Sequence, residues 1–323
     1  MILNYRNFNR HLDKNFVFEN NPNFAVAVSG GPDSMCLLFL LNEWNKKIKG
    51  KFIALIINHN IRSNSSKEST YVFKFLKNKN INSKIINVKK NQVVKKNMSE
   101  ARLNRYDSLT NFCKKNNIIH LFVGHHMNDN LETFINRKIS GSDFEGLSSM
   151  KSISLRNKTN IIRPLLNFSK KDILEFNYKQ KIPFVYDPSN KNMTYTRPVV
   201  RKFLKESNIL VQKEIINEFN TVLDNYNLYK SMINNILIDA IIFVNINFIK
   251  IRYSYIINLD NLLSEKIIKI IYKYFYQQNP YLRSKKIQLL LKQLKYDKFK
   301  IFNLKGLLIK KVNNSVIFCK KSN

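Results

Sequence analysis

The sequence predicts an α/β protein, a doubly wound and mainly parallel sheet followed by a smaller, mainly helical domain that closes on a hairpin. Three observations carry this expectation. Short apolar runs alternate with helix-patterned segments through the first half of the chain, as in repeated βα units. Beyond about Lys205 the pattern changes to long helical stretches, over 210–237 and 261–276. Near the end, two apolar runs at 307–312 and 316–319 flank Asn313-Asn314, residue types that tolerate the left-handed conformations of tight turns.

The elements follow in order. Residues 24–28 form a short apolar run that stops at Gly30-Gly31, and 35–44 are apolar and rich in helix formers, which gives strand, turn, helix. Residues 52–57 make a second buried strand. Ser66 is placed to cap a helix carrying Val72, Phe73, Phe75 and Leu76. A third strand fits 85–88, Ser99 caps a helix through Leu103, Tyr106, Leu109 and Phe112, and a fourth strand spans 118–123 before Gly124. In such sheets ligands sit beyond the carboxyl ends of the strands, so the loops 29–34, 58–62 and 124–129 should share one edge. The boundaries expected are 1–205 for the α/β domain and 206–323 for the mainly helical region.

Composition narrows the function. The chain has 323 residues, 44% hydrophobic and 12% aromatic, enough for more than one folded domain. Lys and Arg number 55 against 22 Asp and Glu, a formal +33. That excess favours a polyanionic partner, since each phosphate neutralised releases a counterion; an AT-rich coding sequence would also raise Lys without any such partner. Cys36, Cys113 and Cys319 are far apart with no C-x-x-C, which suggests neither a disulfide framework nor a zinc or iron–sulfur site. The N-terminus has no apolar signal region, and the most apolar later stretch, 236–249, is interrupted by Asp239, Asn245 and Asn247. A reducing, cytoplasmic setting without a membrane span is expected, an organelle stroma or matrix if the source is an organelle genome. The oligomeric state stays open, a homodimer included.

Only seven glycines occur, and five of them, Gly30, Gly31, Gly124, Gly141 and Gly146, fall in the loops expected to form the site. The first loop, Ser29-Gly30-Gly31-Pro32-Asp33-Ser34, lies between a strand and a helix. It offers backbone N–H groups and a positive dipole end to a phosphate, with Ser29 and Ser34 as hydroxyl donors. Asp33 would repel phosphate unless it serves a cation, so a magnesium ion bridging to the phosphates is its natural role. Neither G-x-x-x-x-G-K-[ST] nor G-x-G-x-x-G occurs in the chain.

This loop resembles the signature of the ATP pyrophosphatase group, whose members split ATP to AMP and pyrophosphate. Further segments resemble the tRNA(Ile)-lysidine synthetase family: Asn58-His59-Asn60-Ile61-Arg62, Ser99-Glu100-Ala101-Arg102 with Arg105-Tyr106, and Gly124-His125-His126-Met127-Asn128-Asp129-Asn130-Leu131-Glu132-Thr133. Gly146-Leu147, Arg163-Pro164-Leu165-Leu166 and Asp187-Pro188-Ser189-Asn190 continue the series, so the resemblance covers roughly residues 20–205. It implies an adenine nucleotide alpha hydrolase-like fold. It also implies ligation of L-lysine to carbon 2 of the wobble cytidine of a CAU-anticodon tRNA(Ile), through an intermediate adenylated by ATP.

The residue types suit that chemistry. Asp129 and Glu132, three apart on a helix, share a face and could hold the lysine ammonium or accept a proton from its amine; acids favourable to the helix dipole are the alternative. Arg102 and Arg105 are likewise three apart and suited to phosphate charge in a transition state. With Asp33, the catalytic expectation is Arg102, Asp129 and Glu132. His59 and His125 join the 29–34 loop in binding nucleotide, and Arg163, Arg197 and Arg201 meet tRNA phosphates or the target base, although a solvated face is an equal reading for any single Arg here.

The chain departs from the family at several places. Asn60 stands where Gly is more usual, and Asn128 occupies the first position of an Asp-Asp pair. Ser140-Gly141-Ser142 replaces Arg-Gly-x-Gly, and Pro198 follows Arg197 where Asn is usual. Other readings are a tRNA thiolase sharing the loop, which the missing cysteine pairs disfavour, and a small-molecule amidotransferase, for which +33 has no use. A non-catalytic RNA-binding descendant is the third, and intact Asp33, Asp129 and Glu132 argue against it.

Overall fold

A computed structural model of the chain describes residues 2–58, 65–87, 98–185, 196–276, 282–296, 299 and 301–320. His59, Asn60, Ile61 and Arg62, and the segment Asp187 to Asn190, lie outside the described residues. The chain divides into two compact units, Met1–Val222 and Leu223–Asn323.

The first unit opens with helix α1 (Tyr5–Asn15), whose N-cap Asn4 accepts a hydrogen bond from the Asn7 N–H. Strand β1 (Asn23–Val28), helix α2 (Pro32–Ile48), β2 (Lys51–Asn58), α3 (Ser65–Asn78), β3 (Ser83–Asn87), α4 (Met98–Lys115) and β4 (His120–Phe122) follow. Each expected strand is present within a few residues. Ser66 falls inside the first turn of α3 and Ser99 inside that of α4, and the Ser66 hydroxyl accepts from Asn58 Nδ2 at 3.2 Å.

After β4 come α5 (Met127–Ile139), the short α6 (Phe144–Leu147), β5 (Ile153–Arg156), β6 (Thr159–Ile162), α7 (Lys170–Lys179), α8 (Thr196–Glu206) and α9 (Ile209–Ala240). The sheet runs β3-β2-β1-β4-β6-β5. All neighbours are parallel except the β5–β6 pair, an antiparallel hairpin that turns at Asn157 and Lys158, both at positive φ.

Apolar alternation along β1 explains why both of its faces are covered. Phe24, Val26 and Val28 join the core under α1 and α2, with Leu37, Leu38, Leu41 and Trp44. Ala25 points the other way, into a second core with Leu55, Leu109, Leu121 and Ile161 beneath α4. Successive strand residues face opposite sides, so a fully apolar strand requires helices on both. Trp44 anchors the first core, its ring 5.0 Å from Phe18 and 5.5 Å from Phe24.

The second unit contains β7 (Ile241–Val244), β8 (Phe248–Arg252), α10 (Ser254–Ile257), α11 (Asn261–Phe275), α12 (Ser284–Leu294), β9 (Ile301–Leu304), β10 (Leu307–Val312) and β11 (Ser315–Lys320). The expected hairpin is β10–β11, with Val312 opposite Ser315 across Asn313-Asn314. It is the centre of an antiparallel sheet, β7-β8-β11-β10-β9, whose other strands the helical reading did not anticipate. The apolar run 236–249 is divided by a turn in which Asn245 Oδ1 accepts from the N–H groups of Asn247 and Phe248, so one apolar run becomes a helix end and two strands. The core packs Ile249, Ile251 and Phe318 of the sheet with Ile268, Ile287 and Leu294 of the helices. No helix among the described residues is long and apolar enough to cross a membrane.

Candidate functional site

The loops after β1 and β4 meet at the carboxyl edge of the parallel sheet. Ser29, Gly31, Asp33, Arg105, Tyr106, Gly124, His125 and Asp129 line one cleft there. Two glycines make the meeting possible. Gly30 has φ +82°, a conformation that L side chains rarely adopt. A Cβ on Gly124 would lie 3.0 Å from the Asp33 carbonyl carbon and oxygen and 3.1 Å from Ser34 N, so backbone packs directly on backbone at the start of α2.

The loop closes on itself through Ser34. Its hydroxyl donates to Gly31 O at 3.0 Å and accepts from the Ser29 N–H at 3.1 Å. Ser29 and Ser34 both line the cleft, and Ser34, buried, also shapes the loop. Helix α2 begins with Gly31 as N-cap and Pro32 in its first turn, with no side-chain cap. Its first N–H groups therefore face the loop without a side-chain acceptor, the arrangement that suits an oxyanion.

Asp33, in the first turn of α2, pairs with Lys170 Nζ at 2.5 Å. His126 is the N-cap of α5: its Nδ1 accepts from the Asp129 N–H at 3.4 Å, and the Asp129 carboxylate accepts from the His126 N–H at 3.1 Å. With Nδ1 accepting, Nε2 carries the proton and faces Asp33 Oδ1 at 3.7 Å and Asp129 Oδ2 at 3.5 Å. One imidazole thus stands between the two carboxylates.

Arg102 Nη2 lies 3.1 Å from His125 Nε2. A guanidinium only donates, so His125 accepts at Nε2. Tyr106, nearly buried, has the guanidinium carbons of Arg102, Arg105 and Arg156 at 5.8, 5.4 and 5.8 Å from its ring centre. This is a cationic wall on the α4 side of the cleft.

The remaining expected site residues are placed differently. Glu132 is 4% exposed and meets Arg201 twice, Nε to Oε1 at 2.7 Å and Nη2 to Oε2 at 3.0 Å; that hydrogen bonding raises the Arg201 guanidinium pKa. Arg163 is buried and donates to Lys151 O and Ser154 Oγ, both at 2.9 Å. Burial pulls its pKa down. Arg197 lies on α8, and its side chain is outside the description.

Sequence reasoning missed Lys170. The signal was present: Ser169-Lys170-Lys171-Asp172 is a capping box, in which Ser169 and Asp172 cap α7 reciprocally. It sets a lysine at the first helical position, where the dipole disfavours a cation. The departure at Asn128 also acquires a use, since its Oδ1 accepts from the Lys170 N–H at 2.8 Å. Among the described residues, no cluster of three or more His, Cys, Asp or Glu is arranged to hold a metal by itself.

The family model of the PP-loop domain matches residues 4–207. Over 212 residues the chain is 37% identical to the tRNA(Ile)-lysidine synthase of Orientia tsutsugamushi (strain Boryong), 66% of this chain and 48% of that protein. It is 40% identical over 203 residues to the tRNA(Ile)-lysidine synthase of Wolbachia pipientis wMel, 62% of this chain and 46% of that one. The chain thus spans about half the length of these curated relatives. Among solved structures, the U34-tRNA thiolase of Methanococcus maripaludis, with its 4Fe-4S cluster, superposes with a TM-score of 0.56 at 21% identity, covering 68% of this chain and 78% of that one. At that identity the likeness concerns the fold.

Proposed function

The chain belongs to the PP-loop domain family, and from that premise we propose that it is a tRNA(Ile)-lysidine synthetase, a ligase that uses ATP to join L-lysine to carbon 2 of the wobble cytidine of a CAU-anticodon tRNA(Ile). The observation that carries the reading is the single cleft shared by Ser29, Asp33, Arg105 and Asp129. A loop built for phosphate, a carboxylate for an amine and a cationic wall for polyphosphate are the three requirements of the reaction.

The residues divide the work as follows. The 29–34 loop and the start of α2 hold the polyphosphate through N–H groups. The oxygen on carbon 2 of the cytosine ring attacks the α-phosphorus and pyrophosphate leaves, while Arg102 and Arg105 stabilise the charge that develops there. The lysine amine then attacks carbon 2, AMP leaves with the oxygen, and the amine proton passes to Asp129. With Glu132 held by Arg201, Asp129 is the carboxylate of this pair that lines the cleft. Glu132 and Arg201 fix the helix that presents it, and Arg163 acts from within by holding the segment around Lys151.

Magnesium fits as a phosphate-bound ion. Asp33 is one carboxylate at the phosphate loop, and Mg2+ is commonly held by one or two carboxylates together with substrate phosphates and water. When bound, the ion neutralises phosphate charge.

Sulfur transfer has little support. Cys36 and Cys113 are fully buried on α2 and α4, and Cys319 belongs to β11 in the other unit.

The test is a transfer assay with purified protein, ATP, magnesium, radiolabelled lysine and a CAU-anticodon tRNA(Ile). Label should move to the tRNA, and Asp33→Ala should abolish release of pyrophosphate while tRNA binding persists. No transfer beside an active control enzyme would refute the assignment; incorporation of sulfur would turn it to thiolation.

A further inference from the structure

The segment 146–150, which leads from α6 towards β5, is tied to α5 at two levels. Arg137 Nη1 donates to Gly146 O and to Ser149 O, the latter at 3.3 Å. About two turns earlier, on the same face of the helix, Asn130 Oδ1 accepts from the Met150 N–H at 2.8 Å and Asn130 Nδ2 donates to Met150 O at 3.4 Å. One side chain thus takes both polar groups of one backbone residue. Between the two ties Ser149 has φ +59°, a conformation that a residue with a Cβ keeps only where its surroundings impose it.

Asn130 is a costly choice for this position. Asn is a poor residue for a helix interior, and a buried polar side chain is unfavourable unless it is fully bonded. At 5% exposure Asn130 is buried. An amide carries its donor and its acceptor on separate atoms, which is what a backbone N–H and C=O side by side require.

What Asn130 fixes is Met150, and Met150 touches Arg102. Arg102 Nη2 donates to Met150 Sδ at 3.9 Å and to His125 Nε2 at 3.1 Å. His125 lies in the loop that enters α5, and Met150 is tied to α5, so both acceptors take their places from one helix. Neither acceptor is an anion, whereas Arg156 is paired with Asp107 and Arg201 with Glu132. Arg102 is held in direction while its charge stays available for a phosphate.

We propose that Asn130 is a positioning residue for the attack on the α-phosphorus: by holding Met150 it sets one of the two neutral acceptors that aim the Arg102 guanidinium. The inference rests on the ATP reading given above. Asn130 acts through Met150 and Arg102, and no bond to it forms or breaks in the reaction.

The test is a kinetic double-mutant cycle on the full chain, reading pyrophosphate release at saturating ATP, magnesium and CAU-anticodon tRNA(Ile). Asn130→Ala should lower kcat about tenfold or more, the scale expected when a catalytic group is misdirected, while ATP affinity measured by calorimetry stays within about twofold. Asn130→Gln, which keeps donor and acceptor, should recover part of the loss. In an Arg102→Ala background, Asn130→Ala should cost nothing further. A residue that served stability alone would lower kcat by the same factor in both backgrounds, and that result, or undiminished release by Arg102→Ala, would overturn the proposal. If Asn130→Ala does not fold, Met150→Leu, which conserves volume and removes the acceptor, supplies the same cycle with a loss of a few-fold. Wild-type protein that releases pyrophosphate in the presence of tRNA yet transfers no lysine refutes only the lysidine reading. Wild-type protein that releases none refutes both.

Discussion

Arg201 of α8 holds Glu132 of α5 by two parallel hydrogen bonds, 2.7 and 3.0 Å, with the Glu132 side chain only 4% exposed. Bidentate geometry of this kind fixes orientation as well as charge. Breaking it from one side leaves a carboxylate buried without its partner. Arg201→Met is therefore expected to destabilise the first unit by about 2–3 kcal/mol, below the range for fully buried pairs because Arg201 is half-exposed. Arg201→Met combined with Glu132→Gln should recover part of that loss. A thermal double-mutant cycle measures the coupling, and strictly additive losses would mean that the pair is not a unit.

Gly124 should be intolerant of any side chain. In Gly124→Ala the added carbon meets the Asp33 and Ser34 backbone at 3.0–3.1 Å, and backbone cannot swing aside as a side-chain end can. ATP affinity should fall severely. Gly141→Ala is the control: its φ of +63° strains an alanine by about 1 kcal/mol, but nothing stands within 4 Å of the added carbon. Equal nucleotide affinity in the two variants would show that the contact does not govern the loop.

Thiol reactivity should separate the three cysteines. Burial pushes the Cys113 thiol up to about 12, and burial, with the Asp33 charge adding to it, puts Cys36 well above its ordinary value. A thiolate is the reactive form. At pH 8 only Cys319 should be alkylated in the native protein, and release of pyrophosphate should survive. Rapid native labelling of Cys36 would contradict the packing of α2.

Binding of tRNA should weaken steeply with salt. A chain with a formal charge of +33 that contacts phosphates releases counterions, so the logarithm of affinity should fall linearly with that of salt concentration. Filter binding at several salt concentrations measures the slope, and a flat response would make the excess of lysine compositional.

Much of the first unit was legible because its signals are local. The run from Phe24 to Val28 ending at a glycine pair specifies strand, turn and helix within a few residues, and the loop follows from it. The β5–β6 hairpin was less legible: its strands have four residues each, and the turn is made by Asn157 and Lys158 without glycine. In the second unit the long apolar run hid both the change from helix to strand after Ala240 and a strand-to-strand turn made by the Asn245 side chain.

The sequence by itself determined the alternation of strands and helices, the phosphate loop and the residue types gathered at its edge, because periodicity and turn chemistry act between near neighbours. Only the tertiary structure decided which charge meets which. Lys170 reaches Asp33 across 137 positions of chain and Arg201 reaches Glu132 across 69, while Arg163 turns inward to Lys151 and Ser154. Such pairings depend on how helices dock on the sheet. That is why a row of similar arginines and lysines in the sequence resolves into one internal brace, one clamp on a carboxylate and one ammonium at the mouth of the loop.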